Sequence, residues 1–327
     1  IAEAKPEDKL NYIRKEQQLG KLVAMMGDLE QLDPATYAVW RKAFPRLDQV
    51  PRIGRAQAAS FSDERALAGR PQVALLSVGG GHGPSEHDRE VLARLEAAGV
   101  AVVFVDFRHA PLKHTVPSIR LLGEVLGEQA RAAEFARAWE EEMAKVRDVL
   151  ARRKPQPTPF FMENRVGFSE ACCDTLTGML ADLAEAAGGQ NLAQGVVPGE
   201  HGQVSPEWLL TQKPAVYIGT AIGQPGQPPG PRLVMGASVD AAVAQASLRQ
   251  SLQRTPIRLL PPVRTGRAHA LWHHFYASPF NVLALQAMAQ WLHPSLFADL
   301  RPAQTLQAWQ RRFQPVQASG TYWVSAS

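Results

Sequence analysis

The feature of this sequence that most limits its fold is a long stretch near the middle of the chain, residues 127–154, with no internal Gly or Pro. It is rich in strong helix formers and is followed by Pro155 and Pro157, through which a helix does not continue. Its apolar residues recur at spacings of three and four and form one stripe: Phe135, Trp139, Met143, Val146 and Val149. A helix of this length spans about 40 Å. The stretch therefore predicts a rigid strut between two halves of the chain.

Strand-like and helix-like segments alternate on both sides of the strut. Before it, apolar residues 73–78 and 100–107 predict two buried parallel strands, with a helix at residues 88–98 between them. After it, the pattern predicts strands at 160–162 and 215–219 and helices at 175–187, 239–253 and 281–292. The chain is expected to be of the α/β class, with two Rossmann-like lobes of mostly parallel sheets joined by one long α-helix. The expected units are residues 1–126, 127–154 and 155–327.

One segment occurs twice. The sequence SFSDERALAGRPQVALLS, from Ser60, can be laid over QVSPEWLLTQKPAVYIGT, from Gln203, with no gap. Identical residues match at five places: Ser62 with Ser205, Glu64 with Glu207, Leu67 with Leu210, Pro71 with Pro214, and Val73 with Val216. Each copy predicts a short helix with a serine N-cap, ended by a proline that leads into a buried strand. The two halves therefore look like related lobes.

The matched carboxylates Glu64 and Glu207 have two interpretations. A carboxylate in the first turn of a helix is stabilised by the helix dipole, by roughly 0.3–1 kcal/mol, and this could be their whole role. Alternatively, two exposed carboxylates, one on each lobe, form a symmetric pair of contacts for a larger partner. Spacing alone does not choose between these interpretations.

Composition indicates an ordinary globular protein, with 45% hydrophobic and 20% charged residues. The net charge of +4 is spread along the chain with no basic run, so nucleic acid is not an expected partner. The charge suits an anion-binding cavity about as well as a plain solvated surface. No apolar stretch approaches the ~20 residues that cross a bilayer. Residues 1–10 hold no signal-peptide core, so the protein is either cytosolic or an exported protein whose signal precedes Ile1.

The two cysteines, Cys172 and Cys173, are neighbours in the chain. The pair alone cannot form a zinc site, and it lacks the CxxC spacing of a redox helix. In an oxidising compartment the pair could form a vicinal disulfide. Adjacent Cα atoms lie about 3.8 Å apart, below the usual disulfide range of about 4.4–6.8 Å, so such a ring is strained. A disulfide and a free thiol pair both remain open.

Candidate ligand-binding residues follow from the rule that open α/β sheets bind ligands at the carboxyl ends of their strands. That rule selects the following residues: the loop from Gly79 to Gly83 with His82, Arg108 and His109 in the first lobe, and Asn164, Arg165, the turn at Cys172 and Cys173, Trp272, His273, His274 and Tyr276 in the second. Arginine supplies charge and forked donors, and the aromatic rings supply flat surfaces. Each has a plainer interpretation, since such an arginine is often in a surface ion pair and Trp272 could belong to the core. If His273 and His274 lie in a strand they face opposite sides, so joint ligation of one ion is not expected.

Signatures of catalysis and of cofactor binding are absent from the sequence. The run GGGHG lacks the GK[ST] ending of a phosphate loop, and neither GxGxxG nor GxSxG occurs. No set of three or four His and carboxylate ligands for a bare divalent cation converges on the predicted strand ends. The spaced cysteines of a metallocluster protein are also missing. The chain is therefore expected to be a binding protein without a cofactor rather than an enzyme.

At this point the chain resembles a known family, the helical-backbone (class III) periplasmic substrate-binding proteins of iron-siderophore, haem and cobalamin ABC importers. The paired lobes, the strut and the repeated segment carry the likeness. Four further stretches resemble the iron-complex branch: FPRLDQVPRIG from Phe44, TVPSIRLLGEVLG from Thr115, AAGGQNLA from Ala186, and GRAHALWHHFYASPFNVLALQAMAQWLHPSLFADL from Gly266. No single one of these motifs is decisive, but their order along nearly the whole chain is.

The resemblance implies a periplasmic monomer that captures a ferric siderophore between its lobes and delivers it to an ABC importer permease. It implies that Glu64 and Glu207 dock onto arginines of the permease, and it leaves open whether a lipid anchor is present. Haem is the alternative ligand, because Tyr276 or His82 could bind its iron axially. One departure is that family members usually have a strand and a helix before the equivalent of LVAMMGD from Leu22. Only about twenty residues precede it here, so the first strand of lobe one could be missing.

Overall fold

The computed structural model describes residues 20–55, 58–168, 172–223 and 231–326. Residues 1–19, which bear on whether the first lobe has a further first strand, lie outside the described residues. The first lobe contains five helices and two strands in its described part. They are α1 (Asp28–Leu32), α2 (Pro34–Ala43), α3 (Asp63–Ala68), β1 (Val73–Ser77), α4 (Arg89–Ala97), β2 (Ala101–Val105) and α5 (Pro111–Leu126), with short 3₁₀ helices at Pro45–Gln49 and Ala58–Ser60.

The sheet of the first lobe is small. Strands β1 and β2 pair in parallel, as predicted, and one further parallel bridge joins Met25 to Arg52. None of the ten residues of β1 and β2 is buried, and Leu75 is exposed by 44%. The prediction that these strands are buried is therefore wrong. The reason is that the described sheet has two strands, so each strand has an unpaired edge and a thin covering.

The predicted strut is α6 (Gln129–Arg153), which ends at Lys154 in a left-handed conformation just before Pro155. Its apolar stripe faces the protein as expected, and it packs against α5 on one side and against the core of the second lobe on the other. Trp139 of the strut donates to Asn281 Oδ1 at 2.9 Å, and Asn281 in turn donates to Thr115 Oγ1 of α5 at 2.9 Å. The strut is thus fixed to both lobes. The unit boundaries at residues 126/127 and 154/155 stay a prediction.

The second lobe holds the larger sheet. Its strands are β3 (Thr158–Glu163), β4 (Asp174–Leu176), β5 (Gly189–Asn191), β6 (His201–Gln203), β7 (Val216–Ala221), β8 (Gly236–Ala237), β9 (Ala268–Trp272), β10 (Gly320–Thr321) and β11 (Trp323–Ser325). The order is β11-β9-β7-β3-β4-β6, with β5 also paired to β3, while β8 and β10 form a separate antiparallel pair. Strands β3, β5, β7 and β9 run parallel, β4 and β11 pair antiparallel with β3 and β9, and β6 pairs antiparallel with β4.

Helices cover this sheet. They are α7 (Leu180–Ala186), α8 (Pro206–Gln212), α9 (Ala241–Ser251), α10 (Pro261–Arg264), α11 (Asn281–Leu292) and α12 (Pro302–Phe313), with 3₁₀ helices at Ile257–Leu259 and His273–Ala277. The predicted helix at 281–292 is confirmed. The predicted helix at 175–187 is wrong in its first part, because Thr175 lies in β4, where its hydroxyl donates to the Met162 carbonyl at 2.8 Å. The helix begins only after Gly178.

The repeated segment folds in the same way in both lobes. Ser62 and Ser205 cap α3 and α8, and each hydroxyl accepts the backbone N–H three residues on, at 3.2 Å and 3.1 Å. Each helix then leads through a proline into a parallel strand, β1 or β7. The prediction of two α/β lobes of related design, joined by a long helix, is therefore confirmed.

Candidate functional site

A cavity of about 230 Å³ lies between the two lobes. Its walls come from the segments that follow β1, β2, β3, β7 and β9 at their carboxyl ends, together with the end of α1, the turn before α7 and the start of β6. The lining residues are Leu32, Gly81, His82 and Arg108 of the first lobe, and Asn164, Arg165, Met179, His201, Ile222, His273, His274 and Tyr276 of the second. The strand-end rule thus selects residues that meet at this cavity.

Most of the predicted ligand-binding residues meet at this cavity. His82, Arg108, Asn164, Arg165, His273, His274 and Tyr276 all line it. His109 does not line it, and its ring is turned toward Glu200. Trp272 does not line it either. Its ring packs edge-on against Phe275 and Tyr322 in the core, as the plainer interpretation allowed.

Two lining residues join the lobes across the cavity. The Tyr276 hydroxyl and His82 Nε2 share a hydrogen bond of 2.7 Å, and the other ring nitrogen of His82 faces Asp28 Oδ2 at 3.6 Å. The Arg108 guanidinium lies over the Tyr276 ring, 5.6 Å from its centroid, in a cation–π arrangement. Burial raises the pKa of Tyr276, and the Arg108 charge opposes that rise. The phenol therefore stays protonated at pH 7 and places its hydroxyl beside the His82 ring inside the cavity.

The adjacent histidines His273 and His274 both line the cavity. The expectation that they face opposite sides is wrong, because they lie in the 3₁₀ helix that follows β9 and not in the strand. Burial lowers the pKa of His273 well below its ordinary value, with the neighbouring His274 as the next cause. Burial also lowers the pKa of His274, against the opposing effect of Asp33. Both rings are therefore neutral at pH 7, and the fixed positive charge comes from the arginines.

The two arginines differ in their partners. Arg108 donates to the Gly80 carbonyl at 3.3 Å and forms a long ion pair with Glu200, at 3.9 Å. Arg165 has a left-handed backbone, with φ 42°, and its amide donates to Thr220 Oγ1 at 2.7 Å. Its side chain is exposed and makes no ion pair or hydrogen bond with the rest of the described chain. No Asp or Glu is among the described lining residues, so the cavity carries net positive charge.

Four lining residues were not found from the sequence: Leu32, Met179, His201 and Ile222. Met179 has φ 57°, and its sulfur accepts from Arg108 Nε at 3.3 Å. His201 begins β6, a three-residue strand at the edge of the sheet. A three-residue strand in a polar stretch that contains glycine has no alternation of apolar and polar residues from which a strand could be predicted. Ile222 directly follows a predicted strand and could have been found by the same rule that found Arg165.

Potential metal ligands and both cysteines lie within the described residues. No group of three or more His, Cys, Asp or Glu side chains in them could hold a metal ion. Cys172 and Cys173 are joined as a vicinal disulfide, with Cys173 buried and Cys172 partly exposed. Neither lines the cavity.

A second, larger cavity of about 930 Å³ lies along α5 and the start of the strut. It is walled mainly by apolar side chains, among them Leu22, Trp40, Phe44 and Leu122, and shares no lining residue with the inter-lobe cavity. Apart from Phe107 its lining lies away from the carboxyl ends of the strands, and its charged lining residues, Glu128, Arg131 and Glu134, all come from the start of the strut. The smaller cavity is therefore the better candidate despite its size.

Glu64 and Glu207 occupy matching places on the two lobes. Each lies in the first turn of its helix, α3 or α8, and each side chain is exposed. Neither carboxylate makes an ion pair or side-chain hydrogen bond within the described residues. Both are thus available to a partner.

Comparison with known proteins decides the family. The family described as periplasmic binding protein matches residues 19–233, which is more than half of the chain. The chain belongs to this family. Periplasmic binding proteins are solute-binding proteins, not enzymes. They carry transported ligands rather than cofactors and work with a permease, and the family implies a periplasmic location. No helix in the described part of the chain has the length and apolar character that crossing a membrane requires.

Solved structures share the fold of this periplasmic binding protein. The TroA-like periplasmic binding protein FepB from Veillonella parvula has 21% identity and a TM-score of 0.81, over 93% of this chain and 86% of that chain. The molybdate-bound protein MolA from Haemophilus influenzae has 17% identity and a TM-score of 0.63, over 90% and 86%. A periplasmic heme-binding protein from Pseudomonas aeruginosa has 21% identity and a TM-score of 0.53, over 79% and 84%. No curated protein sequence matches the chain.

Proposed function

We propose that this periplasmic binding protein captures a ferric siderophore in the cavity between its lobes and delivers it to the permease of an ABC importer. The observation that carries the proposal is the charge of the cavity. Arg108 and Arg165 face it, and the described lining residues include no carboxylate. Ferric siderophore complexes are often anionic with apolar rims. Two guanidinium groups beside Tyr276 and Met179 are suited to such a surface.

The size of the cavity adds a condition. At about 230 Å³ it lies below the range of roughly 300–1,000 Å³ that is usual for small-molecule sites. A ferric siderophore therefore enters only if the lobes move apart or if part of the complex projects from the mouth of the cleft. The strut limits the first movement, because it is fixed to both lobes through Trp139, Asn281 and Thr115.

Haem is the second candidate, favoured by one observation. The Tyr276 hydroxyl and His82 Nε2 lie 2.7 Å apart inside the cavity. Tyrosine and histidine side chains both serve as axial ligands of haem iron. Haem also carries two propionates, which the two arginines could bind. A heme-binding protein is among the structural neighbours, although likeness at 21% identity shows the fold alone.

Ligand titration of the purified protein separates the candidates. Tryptophan fluorescence is followed during addition of a ferric tricatecholate, a ferric trihydroxamate, haemin, free Fe³⁺ and molybdate. Quenching that saturates with a ferric siderophore alone supports the proposal. A saturating Soret shift with haemin that Tyr276→Phe or His82→Ala removes supports haem instead. Molybdate binding alone, or no binding of any of these, contradicts both.

Arg165, whose side chain makes no ion pair or hydrogen bond within the described chain, offers the most direct test by substitution. Arg165→Met should weaken binding of the anionic complex about 10- to 100-fold, because a lost hydrogen bond to a charged group costs roughly 1.5–3 kcal/mol. Arg152→Met, in the last turn of the strut, is the matched control with the same change of charge at a distant exposed site. Equal affinities of the two variants would show that Arg165 does not contact the ligand.

The same proposal assigns Glu64 and Glu207 to docking on the permease. Their matching positions and lack of partners within the described residues support this. The double variant Glu64→Gln/Glu207→Gln should keep ligand affinity and lose transport in reconstituted vesicles. Glu96→Gln, an exposed glutamate on α4, is the control that should transport normally. A collapse of ligand affinity in the double variant would show that the assignment is wrong.

A further inference from the structure

One carboxylate ties the two lobes together beside the cavity without lining it. Glu200, in the segment between β5 and β6 of the second lobe, contacts His109 Nδ1 of the first lobe at 2.5 Å through Oε1. Its other oxygen, Oε2, lies 3.9 Å from the Arg108 guanidinium. The side chains of Glu200, His109 and Arg108 are exposed by only 28%, 24% and 22%. This arrangement, which we call the Glu200 bridge, is screened less than an ordinary surface pair.

The first-lobe end of the Glu200 bridge is held rigidly. The Asp106 carboxylate accepts the backbone N–H groups of Arg108 and His109, each at 2.8 Å, and of Ala110 at 3.0 Å. The His109 ring packs beneath Gly79, where an added Cβ would lie 2.0 Å from Nε2. His109 Nε2 is buried without a partner in the described residues, so the ring binds through Nδ1.

The second-lobe end is held as well. The backbone carbonyl of Glu200 accepts from Thr177 N at 2.8 Å and from Gly178 N at 3.2 Å. Met179, which follows Gly178 in the chain, lines the cavity and contacts Arg108. Both ends are therefore fixed by backbone contacts.

Arg108 belongs to the bridge and to the cavity at once. It lines the cavity, whereas Glu200 and His109 do not. An anion that binds in the cavity must therefore share or take over a guanidinium that already has a carboxylate near it. The surroundings of Glu200 are already acidic, and the pKa of Asp182 is raised to about 6 by burial first and then by Glu185 and Glu200.

We propose that Glu200 is a specificity-determining residue of the cavity: it competes with the ligand for Arg108 and so weakens the binding of a ligand in proportion to the ligand's negative charge. The bridge also holds the lobes together while the cavity is empty. The inference rests on the proposed function only in taking the ligand to be an anionic ferric complex. It predicts that removing the charge of Glu200 favours a ligand in proportion to the ligand's own negative charge.

The test compares two ferric complexes of known charge. Binding of a trianionic ferric tricatecholate and of a neutral ferric trihydroxamate is measured by calorimetry on the full chain and on Glu200→Gln, which keeps an oxygen acceptor for His109. The variant should bind the trianion about tenfold more tightly and the neutral complex within about threefold of the unmodified protein. Glu185→Gln is the matched control, because it removes the same charge from an exposed side chain of α7 that does not contact Arg108. Equal gains in both variants, or no gain in Glu200→Gln, would overturn the proposal.

The bridge is tested separately without any ligand. Hydrogen exchange of residues 194–200 should be about tenfold faster in Glu200→Ala than in the unmodified protein, and unchanged in Glu185→Ala. The reason is that, among the described residues, Glu200 is the one that forms a side-chain hydrogen bond or ion pair from that segment to the first lobe. Unchanged exchange in Glu200→Ala would rule out the bridge. If neither ferric complex binds the unmodified protein, the proposed function is wrong, while this measurement still decides whether the bridge exists.

Discussion

Strands β1 and β7 follow the twin helices in their respective lobes, and both are short apolar runs, but their surroundings differ. All six residues of β7 are buried, and the strand pairs with β3 on one side and β9 on the other. No residue of β1 is buried, and the strand pairs with β2 alone among the described residues. Neighbouring strands and helices, rather than the composition of a strand, therefore decide how much apolar area it removes from water.

The contrast has a consequence for the candidate site, because the cavity takes one wall from each lobe. Stability within a protein varies from region to region, and regions with few buried apolar contacts open first. The wall that carries His82 and Arg108 rests on the thin sheet of the first lobe, and the wall that carries Arg165, His273 and Tyr276 rests on the deep core of the second. We expect the first wall, with the Asp106 contacts to Arg108 and His109 intact, to shift as a unit when a ligand binds, and the second wall to stay fixed.

A large difference in stability is expected between two matched strand substitutions. Leu75 and Ile218 hold the same place in the repeated segment, but Ile218 is fully buried and Leu75 is 44% exposed. Ile218→Ala should lower the free energy of unfolding by about 2–5 kcal/mol, because it removes buried methyl groups and leaves a cavity. Leu75→Ala should cost less than about 1 kcal/mol. Urea unfolding measures both values. Similar losses would mean that the two sheets are equally well buried.

A second prediction compares ion pairs of the two lobes. Arg254 forms two 2.8 Å bonds with Glu163, which is 3% exposed and also accepts from the Tyr217 hydroxyl at 2.5 Å. Arg254→Ala should lower the free energy of unfolding by about 3–5 kcal/mol, because it leaves a buried carboxylate without its counter-charge. In the first lobe, Arg94 pairs with Asp63 at the surface, where Arg94→Ala should change unfolding too little to measure.

A double variant checks the cause of the larger loss. Glu163→Gln/Arg254→Met removes both charges and keeps an acceptor for Tyr217, so it should recover much of the stability that Arg254→Ala loses. If the double variant were as unstable as the single one, lost packing rather than an unpaired charge would be the reason.

Local signals in the sequence were enough to predict much of the fold. The strut is uninterrupted from Gln129 to Arg153 and has a clear stripe, and the serine caps recur with the same proline after each helix. The missed strand β4 has no such signal. It is three residues long, and it forms because Thr175 pairs with Glu163 of β3 in the folded protein. Short pairings of this kind depend on tertiary contacts.

The candidate site was predictable where a strand was predictable. Arg108 and Arg165 follow predicted strands with a clear apolar pattern, so the strand-end rule found them. His201 and Met179 depend on β6 and on the turn before α7, which have no pattern of their own. The prediction that His273 and His274 face opposite sides failed for a similar reason. Whether these residues lie in the strand or in the 3₁₀ helix that follows it decides where each ring points.

The smallest expected effect tests whether the lobes unfold together. Ser62→Ala and Ser205→Ala each remove one cap hydrogen bond, at 3.2 Å and 3.1 Å, and each should cost about 1 kcal/mol. If the first lobe is the less stable unit, Ser62→Ala should lower an early transition in calorimetry, and Ser205→Ala should lower only a later one. Glu64 and Glu207 stay in place in both variants, so docking is not altered by loss of charge. A single transition that both variants shift equally would mean that the strut couples the lobes into one cooperative unit, and the thin sheet would then draw its stability from the thick one.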